Sequence, residues 1–330
     1  MTSILMTSVR DDEQAAIQDY AAKHHITIQT TPKLINDALD LVPGNDGVII
    51  QQRGAVSEDV YGVLEANGIK QLTTRTAGVD TIDLHLAHQH SLVVTNVPAY
   101  SPRSVAEFAL MQIFRMLRHT YAFDHQVAAN DFSWHGLQSK EIHSATIGII
   151  GVGRIGGTLA KLLHALNATV LGYDTKPRTD LDGIVRFVSK KELLQQSDVV
   201  TLHVNLNPTA EGLIAAEDFK LMKPTAALVN ASRGPVVVTK DLVTALQTHQ
   251  IQAAALDTVE GEAAIFAQDH SQTGIAKQLP LVDELNKMDN VILTPHIAFY
   301  TNVAVQNMVD IALDDVLSII NGQAPQNEVR

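Results

Sequence analysis

The sequence predicts an α/β protein built from two doubly wound parallel sheets, the second domain inserted into the first. Three observations point there. Short β-rich runs alternate with helical patterns along nearly all 330 residues, the order that builds parallel sheets. A glycine-rich turn in the middle of the chain follows one such run and opens a helix. At about 100–200 residues per domain, the length suits two domains rather than one.

The first β/α series has β-rich runs at Ser3–Val9, Ile26–Thr30, Asp46–Ile50, Ile69–Thr74 and Leu92–Val97. The helices between them are a polar one through Ala21, Ser57–Asn67 and Leu84–His88. Val97-Pro98-Ala-Tyr-Ser-Pro102 breaks the pattern. Ser101 is a candidate N-cap and Pro102 suits the first position of a long apolar-striped helix, Ser104 to His119. A second series follows, with strands at Thr146–Ile150, Thr169–Tyr173, Asp198–Val204, Ala226–Asn230, Ala253–Leu256 and Asn290–Thr294. Six strands are the count of a full dinucleotide-binding sheet. The last helix, Thr301 to Gly322, has no sheet of its own, so it is expected to return to the first domain. The expected domains are therefore 1–100 with 299–330, and 101–298. Thr179–Gly183 and Ala267–Leu281 read as loops.

Composition excludes several classes. Hydrophobic residues make up 45% and charged residues 18%, the balance of a globular chain rather than a disordered one. There is no cysteine, hence no disulfide scaffold, thiolate zinc site, iron–sulfur cluster or cysteine nucleophile. No apolar run approaches the ~18 residues of a membrane-spanning helix, and the start lacks a basic region followed by an apolar stretch. A cytoplasmic protein is expected, with no membrane partner. The formal charge of 24 − 36 = −12 argues against nucleic acid. The chain has 14 histidines, so proton chemistry is expected to run through one of them. The pair His24-His25 has no partner at ligand spacing, and no metal is expected.

Gly151-Val-Gly153-Arg-Ile-Gly156-Gly157 follows a strand and opens the helix Thr158 to Leu166, the G-x-G-x-x-G pattern in the context it requires. Gly151 permits the tight turn, Gly153 lets backbone approach a pyrophosphate, and Gly156 lets the helix lie close on the strand. Free amides at the helix N-terminus favour phosphate. The next strand ends at Asp174, 18 residues after Gly156. A carboxylate there binds the ribose hydroxyls and repels a 2′-phosphate, which favours NAD over NADP, with Lys176 and Arg178 close behind.

Ionisable residues also stand at or just beyond the ends of strands, which face the ligand crevice of an open parallel sheet. They are Arg233, Glu262 beyond Asp257, and His296. Reduction of a 2-keto acid needs a cation for the carboxylate, an acid for the carbonyl oxygen and a carboxylate to steady that acid. These residues supply all three types. Glu260 competes with Glu262 on pattern alone, and Arg233 could instead be a loop residue in a surface ion pair. His203 reads as a wall of the cofactor pocket.

With these residues in view, the chain resembles the D-isomer-specific 2-hydroxyacid dehydrogenases, most closely their D-lactate dehydrogenase branch. The stretches that carry the resemblance include Arg75-Thr-Ala-Gly-Val-Asp80, Asn96-Val-Pro-Ala-Tyr-Ser-Pro102, Gly151-Val-Gly-Arg-Ile-Gly156, Asp198-Val-Val-Thr-Leu-His-Val204, Asn230-Ala-Ser-Arg-Gly-Pro235, Glu260-Gly-Glu262 and Thr294-Pro-His-Ile-Ala-Phe-Tyr-Thr301. The resemblance implies two Rossmann-like/flavodoxin-like domains, the NAD-binding one inserted in a split substrate-binding one, with a cleft between them. It implies His296 as proton donor steadied by Glu262, in preference to Glu260, and Arg233 as the carboxylate clamp. The amides of Ala77 and Gly78 would hold the carboxylate as well, and Tyr100 and Phe299 would line the side-chain pocket. Arg154, Ile155, Asp174, Val204, Asn230, Ala231, Ser232 and Asp257 match further cofactor positions. The helix from Ser101 matches a dimer region, so a homodimer is implied. Asn205 and Ala210-Glu-Gly-Leu-Ile214 depart from the family's usual residues, and of that loop only Val204 carries over.

The expected activity is reduction of pyruvate by NADH to D-lactate. The alternative is a D-2-hydroxyisocaproate-type or phenyllactate-type enzyme with broader 2-keto acid specificity. A NAD-sensing binding protein, like the corepressors that share this fold, is a more remote reading, against which the Arg–Glu–His set argues.

Overall fold

The structure, a computed structural model, describes residues 2–51, 53–266 and 268–329. Ala267, the first residue of the expected loop to Leu281, lies outside the described residues. The chain divides into two compact units, Met1–Ser101 with Tyr300–Arg330, and Pro102–Phe299.

In the first unit, β1 (Ser3–Met6), α1 (Gln14–His24), β2 (Thr27–Thr30), β3 (Gly47–Ile50), α2 (Glu58–Ala66), β4 (Gln71–Thr74), α3 (Leu84–Gln89) and β5 (Val93–Thr95) follow in order. The strands form a parallel sheet in the order β2-β1-β3-β4-β5. Central strands of such a sheet are covered on both faces and so carry continuous apolar runs rather than alternation. Gly47-Val-Ile-Ile50 is buried at every position. Side chains of α2 and α3 close one face, with Val60, Leu64 and Ala87 against Val48 and Leu72. The helix Asn302–Ile320 closes the other together with α1: Val309, Leu313 and Val316 pack with Ile4, Met6, Ile17 and Ile49. Tyr20 Oη donates to Asp314 at 2.5 Å across those two helices.

This unit also buries an ion pair. Arg75, directly after β4, is fully buried, as is its partner Glu13. The guanidinium donates to both Glu13 oxygens, at 2.9 and 3.2 Å, and to the carbonyls of Thr7 and Ser8. It therefore ties the turn after β1 to the turn after β4. A buried charge is tolerated when its hydrogen bonds are filled in this way.

The second unit opens with α4 (Pro102–Leu117), its first residue the expected proline, and α5 (Thr120–Ala128). Next come β6 (Thr146–Ile150), α6 (Arg154–Ala165), β7 (Thr169–Tyr173), β8 (Arg186–Phe187), α7 (Lys190–Gln196), β9 (Val199–Leu202), α8 (Ala216–Phe219), β10 (Ala227–Asn230), α9 (Thr239–Gln247), β11 (Ala253–Leu256), α10 (Pro280–Asn286) and β12 (Val291–Leu293). The parallel sheet runs β12-β11-β10-β9-β6-β7-β8. It has seven strands where six were expected among these residues. The extra one, β8, pairs only Arg186 and Phe187 with β7, too short a run to show a period. Pro280 starts a helix inside the segment expected to be a loop, as a first-turn proline can. α4 and α6 bury Ala109, Ile113, Leu159 and Leu163 against Ile147 and Val170 on one face.

Two outcomes test this account. Glu13→Gln leaves the Arg75 charge buried without its counter-ion and is expected to cost about 3–5 kcal/mol in urea unfolding. His203, directly after β9, has a buried Nδ1 without a hydrogen-bond partner among the described residues. Burial lowers its imidazole from 6.5 to about 4. The unfolded chain then takes up the proton first. The stabilisation is present above pH ~6.5 and is lost as pH falls toward about 4, by up to about 3 kcal/mol. Comparing urea midpoints of the native chain and His203→Gln across that range checks it: the native chain should lose more.

Candidate active site

Six strands of the larger sheet run in step. Tyr173, Ile150, Leu202, Asn230, Leu256 and Leu293 lie abreast on β7, β6, β9, β10, β11 and β12. The residues immediately beyond are Asp174, Gly151, His203, Ala231, Asp257 and Thr294. A single register thus delivers residues from 151 to 294 of the chain to one carboxyl edge, where open parallel sheets bind ligands. The strand order reverses between β6 and β9. The Gly151 turn and His203 sit at that switch point.

Gly151 has φ +89°, and a Cβ there would lie 2.5 Å from the His203 carbonyl oxygen. A Cβ on Gly156 would lie 2.1 Å from the Gly151 carbonyl oxygen, so only glycine lets α6 start so close to β6. Around Gly153 there is nothing within 4 Å of a Cβ position, which leaves its backbone open to approach. Arg154 and Ile155 form the first turn of α6, whose amides have no partner within the helix. Asp174 accepts the amides of Val152 at 2.7 Å and Lys176 at 2.8 Å, which fixes its carboxylate beside the glycine turn. Arg178 is bound to Asp180 and donates to the Gly153 carbonyl at 2.8 Å. Open glycine backbone, helix N-terminus and oriented acid together fit a dinucleotide with free ribose hydroxyls. Val204 is half-buried against the apolar core, and Ala231 packs with Val105 and Ala298.

At the other end of the edge, His296 Nδ1 lies 2.6 Å from Glu262 Oε1. Glu262 Oε2 accepts the Val259 amide at 2.9 Å, which holds the carboxylate in place. Glu260 points elsewhere and accepts from Thr239 Oγ1 at 2.9 Å. The two acids that pattern alone left open therefore differ in what they touch. His296 has φ +54°, a conformation that costs a non-glycine residue of order 1 kcal/mol or more and needs support. Asp257 supplies it. Its backbone carbonyl accepts the His296 amide. Its carboxylate accepts from Thr294 Oγ1 at 2.6 Å, Ile297 N at 3.0 Å and Ala298 N at 2.9 Å. Burial pushes the Asp257 carboxyl up, against the downward pull of these hydrogen bonds and of His296. In this structure Asp257 holds the histidine loop, a task its place in the sequence did not indicate. Thr294 shares that task and was not singled out, because the 37-residue separation carries no local signal.

Arg233 follows β10 in extended backbone, half-buried, and donates from Nη1 to the Ser232 carbonyl. Asn230 organises the turn. Its Oδ1 accepts from the amide and hydroxyl of Ser232, and its Nδ2 donates to the Arg233 carbonyl at 3.0 Å. A Cβ on the next residue, Gly234, would lie 2.1 Å from the Val259 carbonyl group. The arginine turn therefore packs directly on the turn that holds Glu262. Phe299 sets its ring edge-on to His296, centroids 6.4 Å apart.

Ala77, Gly78 and Tyr100 belong to the first unit. The Ala77 and Gly78 carbonyls accept from Asn96 and from Thr76, while their amides have no hydrogen-bond partner among the described residues. Tyr100 is half-buried beside the first-unit core, its carbonyl accepting from Asn307 at 2.6 Å. Among the described residues no three His, Cys, Asp or Glu side chains are grouped to hold a metal, and no helix is long and apolar enough to cross a membrane.

The chain is similar to known proteins along nearly its whole length. The family model for the NAD-binding domain of D-isomer specific 2-hydroxyacid dehydrogenases matches residues 110–298. The chain is 38% identical over 323 residues to a D-lactate dehydrogenase of Staphylococcus aureus (strain MSSA476), covering 97% of each chain. It superposes on a D-lactate dehydrogenase from Sporolactobacillus sp. with a TM-score of 0.88 and 49% identity, covering 100% of this chain and 99% of the other. It superposes on a D-2-hydroxyisocaproate dehydrogenase with a TM-score of 0.91 and 32% identity, covering 99% of each. The chain belongs to the D-isomer-specific 2-hydroxyacid dehydrogenase family and is an NAD-dependent D-2-hydroxyacid dehydrogenase.

Proposed function

We propose that the enzyme is a D-lactate dehydrogenase, which reduces pyruvate to D-lactate with NADH, and that Arg233, Glu262 and His296 are its catalytic residues. The observation that supports this chemistry best is the 2.6 Å contact between His296 Nδ1 and Glu262 Oε1. With Nδ1–H given to a carboxylate, the ring is held in one orientation and Nε2 is left to protonate the carbonyl oxygen. Arg233 binds the substrate carboxylate and, through the same guanidinium, polarises the ketone. The amides of Ala77 and Gly78 add neutral donors to that carboxylate. Bound NADH supplies the hydride for the ketone carbon. Gly151, Gly153, Gly156, Arg154 and Ile155 cradle its phosphates, Asp174 takes its ribose hydroxyls, and Val204, Asn230, Ala231, Ser232 and Asp257 complete its pocket. Tyr100 and Phe299 line the side-chain end of the substrate site. The relatives named D-lactate dehydrogenase favour pyruvate. A broader D-2-hydroxyisocaproate-type or phenyllactate-type specificity is the second reading, favoured by the superposition on a D-2-hydroxyisocaproate dehydrogenase and by two aromatic residues at Tyr100 and Phe299. We place the enzyme in the cytoplasm.

We also propose a homodimer. Trp134 is 89% and Phe132 71% exposed, with Met111 and Val127 about half exposed nearby in the chain. Large exposed apolar side chains of this kind mark an interaction surface, and a second copy of the chain is its proposed occupant.

The His296→Ala variant is expected to lose about 10²–10⁴-fold in kcat with NADH binding unchanged in fluorescence titration; near-native turnover would remove His296 from the role. Comparison of kcat/KM for pyruvate, 2-ketoisocaproate and phenylpyruvate decides the substrate. Pyruvate should lead by about 10–200-fold, and a lead for either larger acid would establish the second reading. For the dimer, light scattering should give twice the chain mass, and the double change Phe132→Ser, Trp134→Ser should give a monomer.

A further inference from the structure

We infer that Asn96 is a positioning residue: it aims the amides of Ala77 and Gly78 at the substrate carboxylate. The inference rests on the reading above that these amides bind the carboxylate, and it explains how they come to point one way.

In a trans peptide the carbonyl oxygen of one residue and the N–H of the next lie on opposite sides of the bond, so fixing one fixes the other. The Thr76 carbonyl accepts the Val97 amide at 2.9 Å, which sets the direction of the Ala77 N–H. The Ala77 carbonyl accepts from Asn96 Nδ2 at 2.6 Å, which sets the direction of the Gly78 N–H. The Gly78 carbonyl accepts from Thr76 Oγ1 at 3.0 Å and closes the turn. Both peptide planes are thus oriented by two adjacent residues beyond β5, and their two successive N–H groups have no hydrogen-bond partner among the described residues. Successive amides presented in this way form an anion-binding concavity.

Asn96 is itself held from the far side. Its amide donates to the Asn327 carbonyl at 3.2 Å, and the Val329 amide donates to Val94 at 2.8 Å. Thr95 and Glu328 form an antiparallel bridge. Residues 326–329 therefore extend the sheet past β5 and cover its edge. Asp315, 2% exposed, anchors them by accepting from Gln326 N and Asn327 Nδ2, both at 2.8 Å. The side chain at position 96 must be a short neutral donor, because its target is a backbone carbonyl. Aspartate has the same shape but offers only acceptors.

The test measures oxamate, a pyruvate analogue with the same carboxylate, on the full enzyme with NADH bound. In Asn96→Asp and Asn96→Ala, the oxamate Kd and the pyruvate KM should rise roughly tenfold, the loss of one oriented hydrogen bond. The kcat at saturating pyruvate, the NADH Kd and the melting temperature should stay near native values, the signature of lost substrate binding rather than lost fold. Backbone amide resonances of Ala77 and Gly78 in the native enzyme should shift when oxamate binds. If those resonances do not move, the carboxylate reading fails and the inference with it. If they move but both variants bind oxamate as the native enzyme does, the role of Asn96 alone is overturned. A fall in melting temperature and NADH affinity in step with oxamate affinity would also overturn it, since that is general structural damage.

Discussion

The second unit depends on its strands running in step. In a parallel sheet every strand points the same way, so one shared register brings six strand ends to a common edge. Because β6, β7, β9, β10, β11 and β12 align residue for residue, the first residue after each strand is brought to that edge. The apolar interiors of these strands contribute no chemistry and make the register costly to change. The same register carries the glycine turn, Asp174, Asn230 and Asp257 to that edge.

Beyond that edge, buried polar groups take over from apolar packing. Asp257 holds a histidine in left-handed backbone by accepting three hydrogen bonds from residues 294–298. Arg75 and Glu13 do the same kind of work in the first unit, where they join two turns. Asn230 orders the Arg233 turn in the second. In each case a side chain with several donors or acceptors replaces a stretch of regular backbone pairing. Such groups are costly to leave unpaired in a low-dielectric interior, and so the turns they hold have one geometry.

The dinucleotide turn was legible in the sequence because its physics is local. Glycines at fixed offsets, a strand before and a helix after are all within 20 residues, and Asp174 follows at the next strand end. The choice between Glu260 and Glu262 was not legible from pattern, since both lie near the same strand end. The structure separates them by partner, Thr239 for one and His296 for the other. β8 went unseen because two residues cannot display alternation. Thr294 and Asn96 looked like ordinary strand-end residues, and Asp257 was expected as a cofactor contact, not as the support of the histidine turn; their partners lie between 19 and 41 residues away.

By itself, then, the sequence determined the fold class, the cofactor turn and the residue types needed for proton and carboxylate chemistry. Periodicity, glycine spacing and side-chain pKa are properties of short segments or single residues. Pattern left two carboxylates open for His296 and only the family resemblance preferred Glu262; the tertiary structure decided what each acid touches, what holds that histidine in strained backbone, and how two amides in the first unit come to face one way. Those outcomes depend on hydrogen bonds between segments distant in the chain, and their geometry exists only once the sheets have formed.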